Sequence, residues 1–311
     1  MFVVKHKITF VSISIGLVVL AVISMFVFGL HTGIDFRGGS LLEVEYHAAR
    51  PAQADLEAAF AAQNFGEVLI QPTGASGYIV KSHDLSDAEH TEMLSIMSEN
   101  GQAPLDEKSF SSIGPSVGHE LARKAIVAVI LVSAAIILFI AYAFRKVSTP
   151  VSSWKYGIIA IITLLHDVAI PVGIFAALSH YFGAELDTLF VVAVLTILGL
   201  SISDTIVVFD RVRENLRSTN ISKADFSEIV GKSLEQSYVR SIATSLTVIL
   251  VLLALVFVGP ATTKYFALML TAGMFFGTYS SIFLASPLLV IVEERQRRKA
   301  AGNKPARNAK A

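Results

Sequence analysis

Cysteine is absent from all 311 residues, so no disulfide braces any part of the chain and the usual redox clue to compartment is silent. Charge is scarce as well: 16% of residues are charged against 53% hydrophobic, too little to solvate an ordinary globule of this length. No P-loop, kinase set, nucleophile elbow or dinucleotide fingerprint occurs, which argues against ATP hydrolysis and against an enzyme. No H-x-x-x-H occurs, and imidazoles and carboxylates do not converge at ligand spacing, so neither a metal nor a cofactor is expected. Nothing points to nucleic acid.

What is abundant is apolar sequence, and it is segregated. Six stretches, at about 8–30, 125–144, 156–178, 188–209, 241–259 and 265–291, each approach or exceed the ~20 residues an α-helix needs to cross ~30 Å of hydrocarbon. The prediction is an α-helical membrane protein with six transmembrane helices. The first run has a rival reading as a signal peptide, with Lys5, His6 and Lys7 as its basic start. Its length exceeds the usual 7–15 apolar residues and no A-x-A-like site follows, which favours an uncleaved helix. With the N-terminus placed in the cytoplasm, 18 of the 25 basic residues fall inside, so the positive-inside rule sets both termini there in a bacterial inner membrane.

Residues 31–123 form the one long polar segment, predicted to be periplasmic and to lie between helices 1 and 2. Strands are predicted at 40–46, 67–71, 77–82 and 107–114, with one helix that has Pro51 at its first position and another after Ser86. Ser86 and Glu89 have capping-box spacing, and Gly101 ends the second helix. The order β-α-β-β-α-β is the split-βαβ, ferredoxin-like arrangement of an α+β domain. The domain reading is thus 1–30 for the cytoplasmic N-terminus and first helix, 31–123 for the periplasmic domain, 124–292 for a five-helix bundle, and 293–311 for a basic, disordered cytoplasmic tail. That tail reads as a topology anchor near anionic lipid, with a specific partner site as the rival.

Arg145 and Lys146 mark one inner loop, and residues 210–240 form a longer one whose Leu216, Phe226, Ile229, Val230 and Leu234 are predicted to lie against the membrane face. In "DRVREN" the charges suit i,i+3 pairing of Asp210 with Arg213 and of Glu214 with Arg217. "GMFFG" at Gly273–Gly277 is a GxxxG that permits close helix approach, "GLSIS" at Gly199–Ser203 offers a second small face, and Pro287 is predicted to kink the last helix.

The polar residues inside apolar runs carry the functional argument. Asp204 costs at least ~2.5–3.5 kcal/mol to insert at mid-membrane, so its default reading is functional. It lies six residues before Asp210, or roughly 9 Å inside the inner boundary at ~1.5 Å per residue. Ser201 shares its face at i−3, and Thr205 follows it. Arg240, predicted to begin the next helix at that boundary, is its natural partner by snorkelling. Two readings stand for the pair: a fixed salt bridge joining two helices, or a carboxylate that gains and loses a proton as Arg240 leaves and returns. His166 and Asp167 are a second intramembrane polar pair, either extending a proton route or clamping helices together. Being about 100° apart on a helix, they are expected to address different neighbours.

Four blocks then carry a resemblance: "GIDFRGG" (33–39), "GPSVGHEL" (114–121), "SDTIVVFDRVREN" (203–215) and "GTYSSIFLASPLL" (277–289). Occurring in this order along the whole chain, they resemble the signature blocks of the SecF family, in the resistance–nodulation–division (RND) superfamily. The resemblance implies an RND-type bundle, a ferredoxin-like outer domain and a subunit that works with SecD, the SecYEG channel and YajC on an unfolded secretory polypeptide, drawing on the proton motive force. It carries the family's essential intramembrane Asp onto Asp204 and its essential Arg onto Arg240. Where members usually have Tyr and Asn, this chain has Leu200 and Ser203, which changes the contacts open to Asp204. Sodium stays open beside protons as the coupling ion. The runner-up function is an RND-type exporter of lipids or small hydrophobic molecules, and a third is a scaffold that transduces nothing.

Overall fold

In the computed structural model, the described residues are 2–63, 65–143, 151–218 and 225–302. Arg145, Lys146 and the last part of the tail, 303–311, lie outside them. Six helices among them are long and apolar enough to span a membrane, so the chain is an α-helical membrane protein. The chain divides into two compact units.

The smaller unit comprises 31–128 and 185–188. It runs α3 (Ile34–Arg37), β1 (Gly39–Tyr46), α4 (Gln53–Ala62), β2 (Leu69–Thr73), β3 (Gly77–Ser82), α5 (Asp87–Met97) and β4 (Leu105–Ile113), after α1 (Phe2–Lys5) and α2 (Lys7–Phe28) of the larger unit. The sheet order is β2-β3-β1-β4 with every pair antiparallel, the split-βαβ order read from the sequence. Alternation on β1 turns Leu42, Val44 and Tyr46 to one face, where Leu56, Phe60, Met93 and Met97 from the two helices cover them. Ser86 and Glu89 close the capping box at the start of α5, and these bonds hold the Glu89 carboxyl down to about 2. Pro51 falls two residues before α4 and not on its first turn.

The "FRGG" turn is shaped by its glycines. Gly38 and Gly39 have φ of +84° and +132°, and a Cβ on Gly38 would lie 2.8 Å from the Pro115 Cα. Residues 185–188 belong to this unit. Leu186 exchanges backbone bonds with His31 and Gly33, Glu185 pairs with Lys81 at 3.0 Å, and the Thr188 N–H donates to the Asp35 carboxylate at 2.7 Å.

The larger unit is helical. Besides α1 and α2 it draws on α6 (Pro115–Ala143), α7 (Ser153–Phe182), α8 (Thr188–Ser218), α9 (Phe226–Val258), α10 (Lys264–Ser280) and α11 (Ser286–Gly302). A five-residue π turn, Ser281–Ala285, joins the last two. It stands where a Pro287 kink was predicted: proline lacks the N–H that continues an α-helical ladder, and the widened turn absorbs the mismatch. The outer face of α6 leaves Ile126, Ile130, Leu131 and Leu138 exposed, as a lipid-facing helix does.

Four expectations for the polar ends are corrected. Leu216, Phe226, Ile229, Val230 and Leu234 do not lie on a membrane face; all five are buried, because α8 and α9 run on past their apolar stretches and pack there. Arg240 consequently sits well inside α9 and does not begin it. The tail is helical to Gly302, and its first part is held by Glu294 to Lys7 and by Arg297 to Asp225 (3.8 Å). In the charged segment Arg213 pairs with Asp210 at 3.2 Å as predicted, whereas Glu214 takes Arg211 at 2.7 Å and not Arg217.

Candidate functional site

Close approach of α8 and α10 comes first, because it builds the site. A Cβ on Gly273 would overlap the Ile197 side chain, and one on Gly277 would stand 3.2 Å from that of Ser201. The predicted GxxxG therefore brings α10 against α8. Gly199 does not do the same, since no atom lies within 4 Å of its would-be Cβ; the second predicted small face makes its contact through Ser201. On α9, Ser233, Ser237, Ser241 and Ser245 are buried at four-residue intervals, a narrow small-residue stripe whose Ser245 meets Thr278 of α10 and whose Ser233 meets Asn215 of α8.

Into this tight bundle the chain places two carboxylates. Asp167, on α7, is fully buried. The Ser280 hydroxyl donates to its Oδ2 at 2.7 Å, the Ser201 hydroxyl donates to the same oxygen, and His166 Nδ1 lies 2.8 Å from Oδ1. This last bond corrects the expectation that His166 and Asp167 turn to different neighbours. Adjacent side chains diverge by about 100° at Cβ, yet the short carboxylate and the longer imidazole can fold back onto each other. His166 also stacks on Tyr279, with ring centroids 6.1 Å apart and planes at 19°. Pro171, four residues after Asp167, has no N–H, so the Asp167 carbonyl has no α-helical donor from within its own helix.

Asp204, on α8, is half-buried. Thr278 Oγ1 donates to its Oδ2 at 3.3 Å, and Ser245 of α9 in turn bonds the Thr278 hydroxyl. Arg240 does not pair with it: among the described residues Asp204 has no ion pair within 4.0 Å, and Arg240 is exposed, acting on Asp204 only through space. The predicted Asp204–Arg240 pair is thus apart in this conformation. Helix α9 starts 14 residues earlier than expected, so Arg240 lies on a helix side where it cannot snorkel from an end. Ser201 and Thr205 do not address Asp204 either. Ser201 serves Asp167, and Thr205 shares a 2.9 Å bond with Ser281 at the head of the π turn. Ser203 is exposed.

Helix α10 therefore supplies a hydroxyl to each carboxylate, Thr278 to Asp204 and Ser280 to Asp167, and the π turn carries the third, Ser281. Sequence reading missed these four partners, Ser245, Thr278, Ser280 and Ser281. Their signal was present: hydroxyls within an apolar run, in "GTYSS" and in the i,i+4 serines of α9. The arrangement can hold a proton on either carboxylate, since each has donors that favour the charged form and a surrounding that disfavours it.

Comparison with known proteins supplies the context. A family model described as "Protein export membrane protein SecD/SecF, C-terminal" matches residues 93–295, and one for the "SecD/SecF GG Motif" matches 23–49. The chain is 42% identical over 306 residues to a protein translocase subunit SecF of Thermobaculum terrenum, with 94% of each chain covered. It is 38% identical over 301 residues to the corresponding subunit of Anaerolinea thermophila, with 96% of each covered. Among solved structures it resembles SecDF of Thermus thermophilus, described as a translocon-associated membrane protein, with a TM-score of 0.79 and 31% identity. That match covers 94% of this chain and spans 38% of the longer SecDF chain.

Proposed function

The chain belongs to the SecF family of protein translocase subunits, and we propose from that premise that its intramembrane carboxylates couple the proton gradient to late-stage export of polypeptide. The observation that carries this reading is the geometry around Asp204: a carboxylate in an apolar span, bonded by hydroxyls, with Arg240 near but unpaired. A proton entering Asp204 neutralises it, and an approach of Arg240 expels that proton by favouring the charged form. Asp167, with His166 and Ser201 around it, is the accessory station, since α10 ties it to Asp204 through Ser280 and Thr278. Thr205 takes part through its bond to Ser281, at the π turn where helix geometry changes. One charge crossing 100 mV supplies ~2.3 kcal/mol, so a few protons per cycle can move a domain.

In this reading residues 31–123 form a ferredoxin-like domain between the first two spans, on the periplasmic side, where it meets the emerging polypeptide. Both termini lie in the cytoplasm, 124–292 form the five-helix bundle, and 293–311 face anionic lipid. The match to one portion of a longer SecDF chain supports SecD as the heterodimer partner, with SecYEG and YajC as further neighbours.

The test is replacement of the native copy by Asp204→Asn or Arg240→Met in cells, with export and co-purification read together. Both variants should still recover SecD and SecYEG from membranes while losing the proton-dependent part of export. Normal export by either variant sinks the coupling role, and failure to recover SecD sinks the assembly.

A further inference from the structure

A pocket of about 350 Å³ opens between the start of α2 and the middle of α11, both in the larger unit. Its polar wall carries Lys7, Arg295 and Arg298, and Glu294 is the one carboxylate. Lys7 and Glu294 neutralise each other through their ion pair. Arg295 and Arg298 are left as the uncompensated charges; among the described residues neither is in an ion pair, and both are exposed. Three residues apart on one helix, they are neighbours on the same face, about one turn long. The other wall is aliphatic, made by Ile8 and Val11. Ile8 is 71% exposed, and the line continues along α2 through exposed Ile15 and Val19.

Depth decides what such a pocket can hold. Lys7 is the first residue of a 22-residue apolar helix, about 33 Å long at ~1.5 Å per residue, close to the ~30 Å hydrocarbon thickness. Lys7 and the two arginines therefore stand at the level of lipid headgroups, with the aliphatic wall running down among the acyl chains. We propose that this pocket binds one anionic phospholipid, its phosphodiester held by Arg295 and Arg298 and one acyl chain laid along Ile8, Val11 and the α2 face. Guanidinium suits the phosphate because its planar fork can give two parallel N–H bonds. Basic pockets between spanning helices recognise anionic headgroups on these grounds. The inference needs the six spans, not the proton coupling, so it stands or falls separately from the reading above.

Native mass spectrometry of the full purified chain, with phosphatidylglycerol or phosphatidylcholine added in detergent, reads the site directly. Wild type should retain one phosphatidylglycerol in preference to phosphatidylcholine, and R295Q/R298Q should weaken that retention roughly tenfold or more, at ~1 kcal/mol per basic residue near the surface. R297Q is the control, because Arg297 faces Asp225 and not the pocket; its retention should match wild type. Equal retention of both lipids, or an R297Q loss as large as that of the double variant, would overturn the site in favour of diffuse attraction by the tail. Displacement of the lipid by millimolar inorganic phosphate would overturn it in favour of a free-anion site, since the acyl wall would then contribute nothing.

Discussion

At the scale of single residues, the two carboxylates differ in what surrounds them, and so should their variants. Asp167 is fully buried and accepts from Ser201 and Ser280 while meeting His166. Asp167→Ala strands the Ser201 hydroxyl and an imidazole nitrogen, while Ser280 keeps the Gly277 carbonyl; at ~1–3 kcal/mol for a buried group losing its partner this amounts to a substantial loss. Asp204 is half-buried and has no ion pair among the described residues, so Asp204→Asn removes no salt bridge seen there. The expected outcome in thermal melting of the purified chain is a marked fall for Asp167→Ala and little change for Asp204→Asn. A large fall for Asp204→Asn would instead support the fixed salt-bridge reading. Sequence reasoning found both acids because a charge within an apolar run is conspicuous at any register. It mispaired Arg240, because the guanidinium's position depends on where α9 begins, and the segment before it looked like a loop. It also missed the hydroxyl partners, because serine and threonine in a membrane helix are common and their targets lie on other helices, invisible to local spacing.

Among the elements, five of the six spans are longer than their apolar runs. Helix α9 has 33 residues, about 50 Å at ~1.5 Å per residue, against ~30 Å of hydrocarbon. The excess was illegible in hydropathy because its buried side packs on protein and its other side meets water, a mixture that reads as a loop. The strands of the smaller unit were legible, since period-2 alternation and turn residues are local; β3 matches its predicted bounds at 77–82. Helix contacts were half legible: a GxxxG states that approach is possible, not that a partner is there. Gly273 and Gly199 make that distinction testable. A methyl on Gly273 meets Ile197 and has nowhere to go, so Gly273→Ala should destabilise the bundle by about 1–3 kcal/mol, the usual cost of overpacking. A methyl on Gly199 meets nothing, and Gly199→Ala should be neutral or stabilising by up to ~1 kcal/mol through helix propensity. Melting temperatures of the two variants side by side check it; equal falls would mean that the α8–α10 contact is not set by Gly273.

For the whole molecule, the family and the six spans make this a multi-pass inner-membrane protein, and the remaining question is which end of each helix faces which compartment. Parity answers half of it. Between the exposed Ala58 on α4 and the exposed Ser218 at the end of α8 the chain passes through α6, α7 and α8, three spans, so those two sites must lie on opposite sides. For the rest we keep the proposed orientation, in which the basic residues concentrated beside the α1–α2 start, around 211–240 and in the tail face the cytoplasm. The cysteine-free sequence is a clean background for asking the membrane directly. Ala58→Cys in spheroplasts should react with a membrane-impermeant maleimide added outside, and Ser218→Cys should react only after the membrane is opened. The reverse pattern would invert the orientation and place the polar domain in the cytoplasm, where it could not meet an emerging polypeptide. Labelling of both sites from outside would remove one of the three spans, and with it the depth assigned to Asp204.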